Sequence, residues 1–185
     1  MHRTEQFDNS DNAPGTPWCA LYTRHQHEGT VAKILTTKGV EVFLPTYKSV
    51  HRWKDRNKLL ELPLFPGYVF FAYETERRIQ ILSTPGVHTI LTAGKNLPAV
   101  IPDEEILAIR RAVSSPLRVQ PHPYWKGGDV VRIKSGPLEG LKGVVSRSKD
   151  AFRVVLSVEM LGKSAAVEID AGAVECIASR AVRPS

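Results

Sequence analysis

The chain has 185 residues, 42% of them apolar and 24% charged, and a net charge of +6. That balance excludes a wholly disordered chain, and the length allows one domain or two with a real core. Cys19 and Cys176 lie far apart and in no metal-ligand spacing, which points to a reducing cytoplasm, and no apolar run approaches the roughly 18 residues of a bilayer span.

Residues 1–16 are polar, carry Glu5, Asp8 and Asp11 against one arginine, and read as a disordered tail rather than a signal peptide. Trp18 to Thr23 is an apolar run fit for a strand. His27 to Lys38 carries Val31, Ile34 and Leu35 at helical spacing, with Gly39 placed to end the helix. Val40 to Thr46 returns as a strand. The segment Lys48 to Lys58 then holds five cations and one anion, and reads as the tip of a hairpin that resumes at Leu59 to Leu62. Such a patch is either a solvated loop or a surface for a polyanion.

After the turn signal Pro63 to Gly67, Tyr68 to Tyr73 is the strongest strand in the chain. Thr75 to Ser83 is expected as a short helix burying Ile79 and Leu82, Val87 to Leu91 as a strand, and Asp103 to Val113 as a helix with an acidic first turn. This order of elements suggests a ferredoxin-like split βαβ sandwich. Three prolines between Ser114 and Pro123 mark a linker in extended or polyproline form. Beyond it, short strands at Asp129 to Lys134, Gly143 to Ser148, Phe152 to Met160 and Ala165 to Ile169 suit a small SH3-like β-barrel. The expected organisation is therefore α+β: a tail 1–16, a first domain 17–113, a linker 114–123, a β-barrel domain 124–178 and a tail 179–185.

Strand alternation puts Tyr68, Phe70 and Ala72 on one face and Val69, Phe71 and Tyr73 on the other, and splits Trp18, Ala20 and Tyr22 from Cys19, Leu21 and Thr23. Neither face is polar enough for plain exposure. Two explanations meet the pattern: an apolar patch for a macromolecular partner, or a sheet covered on both faces, for instance by the loop 92–102 or the last helix.

Catalytic signals are weak. His25, His27 and His51 lack the Cys or carboxylate spacing of a metal site, and Glu28 and the pair Glu104-Glu105 sit where acids complement a helix dipole. No phosphate-binding glycine loop and no nucleophile elbow is present, so neither an enzyme nor a cofactor is expected.

Pro17-Trp18, Pro45-Thr46, the segment Leu64-Phe-Pro-Gly-Tyr-Val69, Gly86-Val87 and the run from Gly128 to Val145 together resemble the NusG/Spt5 family of transcription elongation factors, an NGN domain followed by a KOW domain. The segment from Val158 to Asp170 extends the likeness, which runs from about residue 17 to 177. The resemblance implies a monomeric, non-enzymatic, cytoplasmic elongation or antitermination factor without membrane association. Its NGN domain would dock on the β′ clamp helices of RNA polymerase and bridge the cleft toward the β subunit. Carried over by position, the docking residues are Tyr22, Tyr68, Phe70 and Ile90; Arg52, Lys54, Arg56 and Lys58 would face upstream or non-template DNA, where phosphate contacts need cations but no base code. The loop Met160-Leu161-Gly162-Lys163 resembles the contact loop for Rho or a ribosomal protein.

The LPLFPGYVFF segment resembles specialised paralogues such as RfaH and the UpxY antiterminators as closely as it does the general factor. The RfaH-type His-Thr-Thr-Thr run, however, reads Arg77-Arg78-Ile79-Gln80 here. RfaH hides its docking patch under a helical C-terminal domain. Here Gly136, Pro137, Gly140, Gly143 and Gly162 with Val154-Val155 favour the barrel instead. A ribosomal or RNA-binding KOW protein is the alternative reading.

Overall fold

The computed structural model describes residues 15–53, 56–94, 97–123, 128–148 and 151–178. In chain order the first half runs β1 (Trp18–Thr23), α1 (Glu28–Thr37), β2 (Val42–Phe43), β3 (Thr46–Trp53), β4 (Arg56–Pro63), β5 (Tyr68–Ala72), a 3₁₀ turn (Thr75–Arg77), α2 (Arg78–Leu82), β6 (Val87–Ile90) and α3 (Asp103–Ser114). Four of these strands form an antiparallel sheet in the order β2-β5-β1-β6. With β3 and β4 set aside as a separate two-stranded hairpin, this is the expected split βαβ order.

Helix α1 follows from its sequence. Val31 and Leu35, four residues apart, are both fully buried, and the helix stops at a Schellman turn: Gly39 N donates to Thr36 O, Val40 N donates to Leu35 O, and Gly39 has φ +75°. Helix α2 differs from expectation. Its one buried residue is Ile81, with Thr84 just beyond the helix also buried, whereas Ile79 is 82% exposed and Leu82 also faces outward. Five residues are too few for apolar spacing to fix a helix's rotation, and the 3₁₀ turn before it resets the phase.

The second half contains β7 (Val119–Pro123), β8 (Val130–Ile133), β9 (Lys142–Ser148), β10 (Ala151–Val158), a 3₁₀ turn (Glu159–Leu161), β11 (Lys163–Glu168), another 3₁₀ turn (Ala171–Ala173) and β12 (Val174–Ala178). They make one antiparallel six-stranded sheet in the order β12-β8-β9-β10-β11-β7, so the β-rich reading of this half holds. The segment expected as a linker is extended, but its last five residues are hydrogen-bonded to the sheet: Val119 to Pro123 pair with Val167 to Lys163. β7 is an edge strand, where proline's missing N–H is tolerated.

Both faces of the first sheet are covered. Cys19, Leu21, Val69 and Phe71 pack with Val31, Leu35 and Ile81 of the two helices on one side. On the other, Trp18, Ala20 and Phe70 share a cluster with Ile101 and with Ile106, Ile109 and Ala112 of α3. Ile101 also bridges to Trp18 through its backbone. Ile101, in the loop before the last helix, and that helix are thus the cover. Burying side chains of this size contributes about 1.5–3 kcal/mol each.

Helix α3 serves two sheets. It packs on β10, and its core cluster continues into Leu138, Leu156, Val158 and Leu161 of the second half. Arg111 Nη2 donates to the carbonyls of Pro137 and Glu139, and Glu159 N donates to Glu105 Oε2. A cavity of about 400 Å³ remains at this seam, lined by Glu104, Glu105 and Ala108 facing Leu141, Lys142 and Leu156. Among the described residues, no helix is long and apolar enough to cross a membrane.

Candidate docking surface

Pro-Gly turns build one end of the first sheet. In Phe65-Pro66-Gly67-Tyr68, Tyr68 N donates to Phe65 O and Gly67 has φ +86°; in Thr84-Pro85-Gly86-Val87, Val87 N donates to Thr84 O and Gly86 has φ +94°. Proline second and a positive-φ glycine third are the residues a type II turn requires. The two turns start β5 and β6, the neighbours of β1, and both grip the end of β1: Thr23 N donates to Gly67 O and Arg24 N to Gly86 O, at 2.9 and 2.8 Å. Thr23 Oγ1 adds a 3.3 Å bond to the same Gly67 carbonyl.

The first residue of α1 completes the clamp. Glu28 is buried, and its Oε1 accepts a 2.7 Å hydrogen bond from Gly67 N. Sequence reading weighed Glu28 as an acid–base partner of His27 and, more simply, as a helix-dipole residue; its bond to a turn 39 residues away is a tertiary contact with no local signal.

On this clamp sit three rings. Tyr22 pairs with Tyr68 across the β1–β5 ladder, ring centroids 5.6 Å apart, and stacks on His88 of β6 at 5.6 Å with 26° between the planes. Tyr22 is 44% exposed, Tyr68 is half-buried and His88 is exposed. A Cβ at position 67 would lie 3.2 Å from Tyr22 Cε2, so glycine there serves both the turn and the seating of the ring. The surface is aromatic, hydrogen-bond capable at its tips and held on rigid backbone, which suits protein recognition.

The other docking residues expected from sequence lie elsewhere. Phe70 shares the face of Tyr22 and Tyr68 but is fully buried, in ring contact with Phe43 and Phe65 and in one cluster with α3. Ile90 does not join the patch: it pairs with Leu21, is 2% exposed and packs in the cluster on the opposite side of the sheet. Parity within one strand could not place Ile90, because its face depends on its register with β1. Sequence reasoning also missed Arg110, whose guanidinium lies over the rings of Trp18 and Phe43 at 5.2 and 4.9 Å and beside Glu41.

The basic segment forms the hairpin β3–β4, with Arg52 opposite Asn57, Trp53 opposite Arg56 and His51 opposite Lys58. Lys58 is exposed, and Lys54 lies outside the described residues. In the second half, the loop expected to contact a partner is split in role. Leu161 turns inward and is 8% exposed, while Gly162 takes the left-handed conformation and Lys163 is exposed at the start of β11; Met160 sits in the 3₁₀ turn before them. Leu161 is thus a core residue of this sheet rather than a surface contact.

Electrostatics mark two groups. Burial pushes the Cys19 thiol up to about 11. Burial also raises the Glu105 carboxyl above the usual range, with the Glu159 and Glu104 carboxylates adding to the rise and the Glu159 N–H opposing it. His27 turns Nδ1 to the carbonyl of His25, and among the described residues no cluster of His, Cys, Asp or Glu could hold a metal.

Residues 16–110 match the family model described as transcription termination factor nusG. The chain is 28% identical over 176 residues to the transcription termination/antitermination protein NusG of Vibrio parahaemolyticus, covering 88% of this chain and 97% of that protein. It is 29% identical over 139 residues to the protein of the same name from Escherichia coli K12, covering 73% and 77%. A solved structure of Thermotoga maritima NusG aligns with a TM-score of 0.54 at 24% identity, over 87% of this chain and 97% of that one, and shares the fold.

Proposed function

The chain belongs to the NusG family and is a transcription termination/antitermination factor, and from that premise we propose that it binds RNA polymerase through the Tyr22–Tyr68 end of its first sheet. The observation that carries this reading is the pairing of the exposed Tyr22 ring with the half-buried Tyr68 ring, fixed by two Pro-Gly turns and the buried Glu28. A preorganised aromatic pair loses little side-chain freedom on binding, which is how such residues become energetic anchors. Together with the contact implied by the family resemblance, this directs the patch to the clamp helices of the large β′ subunit, where bridging the cleft toward β favours processive elongation. Phe70, two residues along the same strand as Tyr68 and on the same face, then anchors that strand in the core shared with α3, and Ile90 packs on the opposite side of the sheet.

The cations Arg52, Lys54, Arg56 and Lys58 of the basic segment would meet phosphates of upstream or non-template DNA, a contact that weakens with salt. The second sheet reaches Rho or a ribosomal protein through Gly162 and Lys163, beside Met160. The test is equilibrium binding of the full chain to core RNA polymerase. Replacing Tyr22 and Tyr68 together by Ala lowers affinity by about tenfold or more while circular dichroism stays unchanged; unchanged affinity in a folded double variant rejects the docking face.

A further inference from the structure

The β1–β6 ladder is irregular at one point. Leu21 pairs with Ile90 and Tyr22 with Thr89, but Thr23 then pairs with Val87, so His88 has no partner across the ladder. In a regular ladder His88 would sit opposite Thr23, whose side chain is buried against the Gly67 turn. The extra residue forms a β-bulge, a device that breaks alternation and re-aims a side chain. Its result here is an exposed imidazole stacked on Tyr22 at the same end of the sheet as Tyr68.

The surroundings have one sign of charge. The segments that build this end are Tyr22 to Glu28, Phe65 to Tyr68 and Gly86 to Thr89. They carry Arg24, His25, His27 and His88 at the surface, and their one acid, Glu28, is buried on Gly67 N. An aromatic surface rimmed by nitrogen donors and free of exposed carboxylate complements a partner with acidic groups beside apolar ones.

We propose that His88 is a third binding residue of the docking surface, turned there by the bulge, and that it donates a hydrogen bond to a carboxylate on the polymerase surface that Tyr22 and Tyr68 contact. This rests on the docking reading above and adds to it a residue and the chemistry of its partner. His88 sets which surfaces fit: an apolar helix face without an acid leaves the imidazole donor unpaired on docking, which lowers affinity for it.

The test measures core RNA polymerase binding by the full-length His88→Ala, His88→Phe and His88→Glu variants beside Tyr22→Ala, with thermal melting of each free protein. His88 is exposed, so the three variants melt close to the parent. His88→Ala is expected to weaken binding by about fivefold and His88→Glu by more, because it sets like charges together; His88→Phe, which keeps the ring on Tyr22 but not the donor, falls between Ala and the parent. Folded His88 variants that bind like the parent while Tyr22→Ala binds poorly overturn this inference and leave the docking face standing. Parental binding by all four overturns both. His88→Glu binding better than His88→Ala rejects an acidic partner.

Discussion

The Glu28 carboxylate and the Gly67 backbone N–H, 39 residues apart in the chain, meet at 2.7 Å inside the protein. Through this bond the start of α1 fixes the turn that presents Tyr68 and seats Tyr22. Replacing Glu28 by Ala leaves the Gly67 donor without a partner, and a cost of about 1–3 kcal/mol is expected in urea denaturation. Glu28→Gln keeps an acceptor oxygen and is expected to lose less. If both variants unfold at the parental midpoint, the clamp contributes nothing to stability.

Two glycines give opposite expectations. A Cβ on Gly143 would lie 2.5 Å from Val154 Cγ1 and 2.8 Å from Val155 O, so β9 and β10 could not keep their separation. Gly143→Ala is expected to destabilise by on the order of 1–3 kcal/mol. Gly29 lies within α1 with nothing near its Cβ position, and Gly29→Ala is expected to stabilise by about 0.5–1 kcal/mol. Thermal melting of the two variants checks both signs.

The seam between α3 and β10 carries a pH dependence. Burial first, then the Glu159 and Glu104 carboxylates, raise the Glu105 carboxyl in the folded protein. A raised folded-state value means that the protonated form is favoured by folding. Its contribution is fully present below the usual carboxylate range and is lost as pH rises through the raised value. Glu105→Gln keeps the acceptor for Glu159 N without the charge. It is expected to be more stable than the parent at pH 7 by tenths of a kcal/mol, an advantage that vanishes near pH 4. Denaturation midpoints of the two proteins at both values measure this; a gain that grows on acidification contradicts it.

Much of the first sheet was legible because its signals are local. The spacing of Val31 and Leu35, the stop at Gly39 and the parity of Tyr22 with Tyr68 all appear in the structure. The aromatics of β5 left two readings open, a partner patch or a sheet covered on both faces, and it takes the placement of α3 and Ile101 to show the cover. What escaped is tertiary. Phe70 reads like its neighbour Tyr68 until α3 is placed over it, and Ile90 faces the other way through a register no single strand contains. His88 was hidden because a bulge defeats the period of two, and β7 because Pro121 and Pro123 look like linker residues until an edge position makes room for them.

The docking face is tested most directly by placing a photocrosslinking benzophenone amino acid at position 68 and, as a control, at position 177. Ile177 is exposed on β12, a strand of the second sheet, whereas the tyrosine pair belongs to the first. After irradiation with core RNA polymerase, the expected result is a crosslink from position 68 to the large β′ subunit and none of comparable yield from position 177. No crosslink from position 68, or equal yields from both positions, would contradict the assignment of the Tyr22–Tyr68 end as the polymerase-binding face.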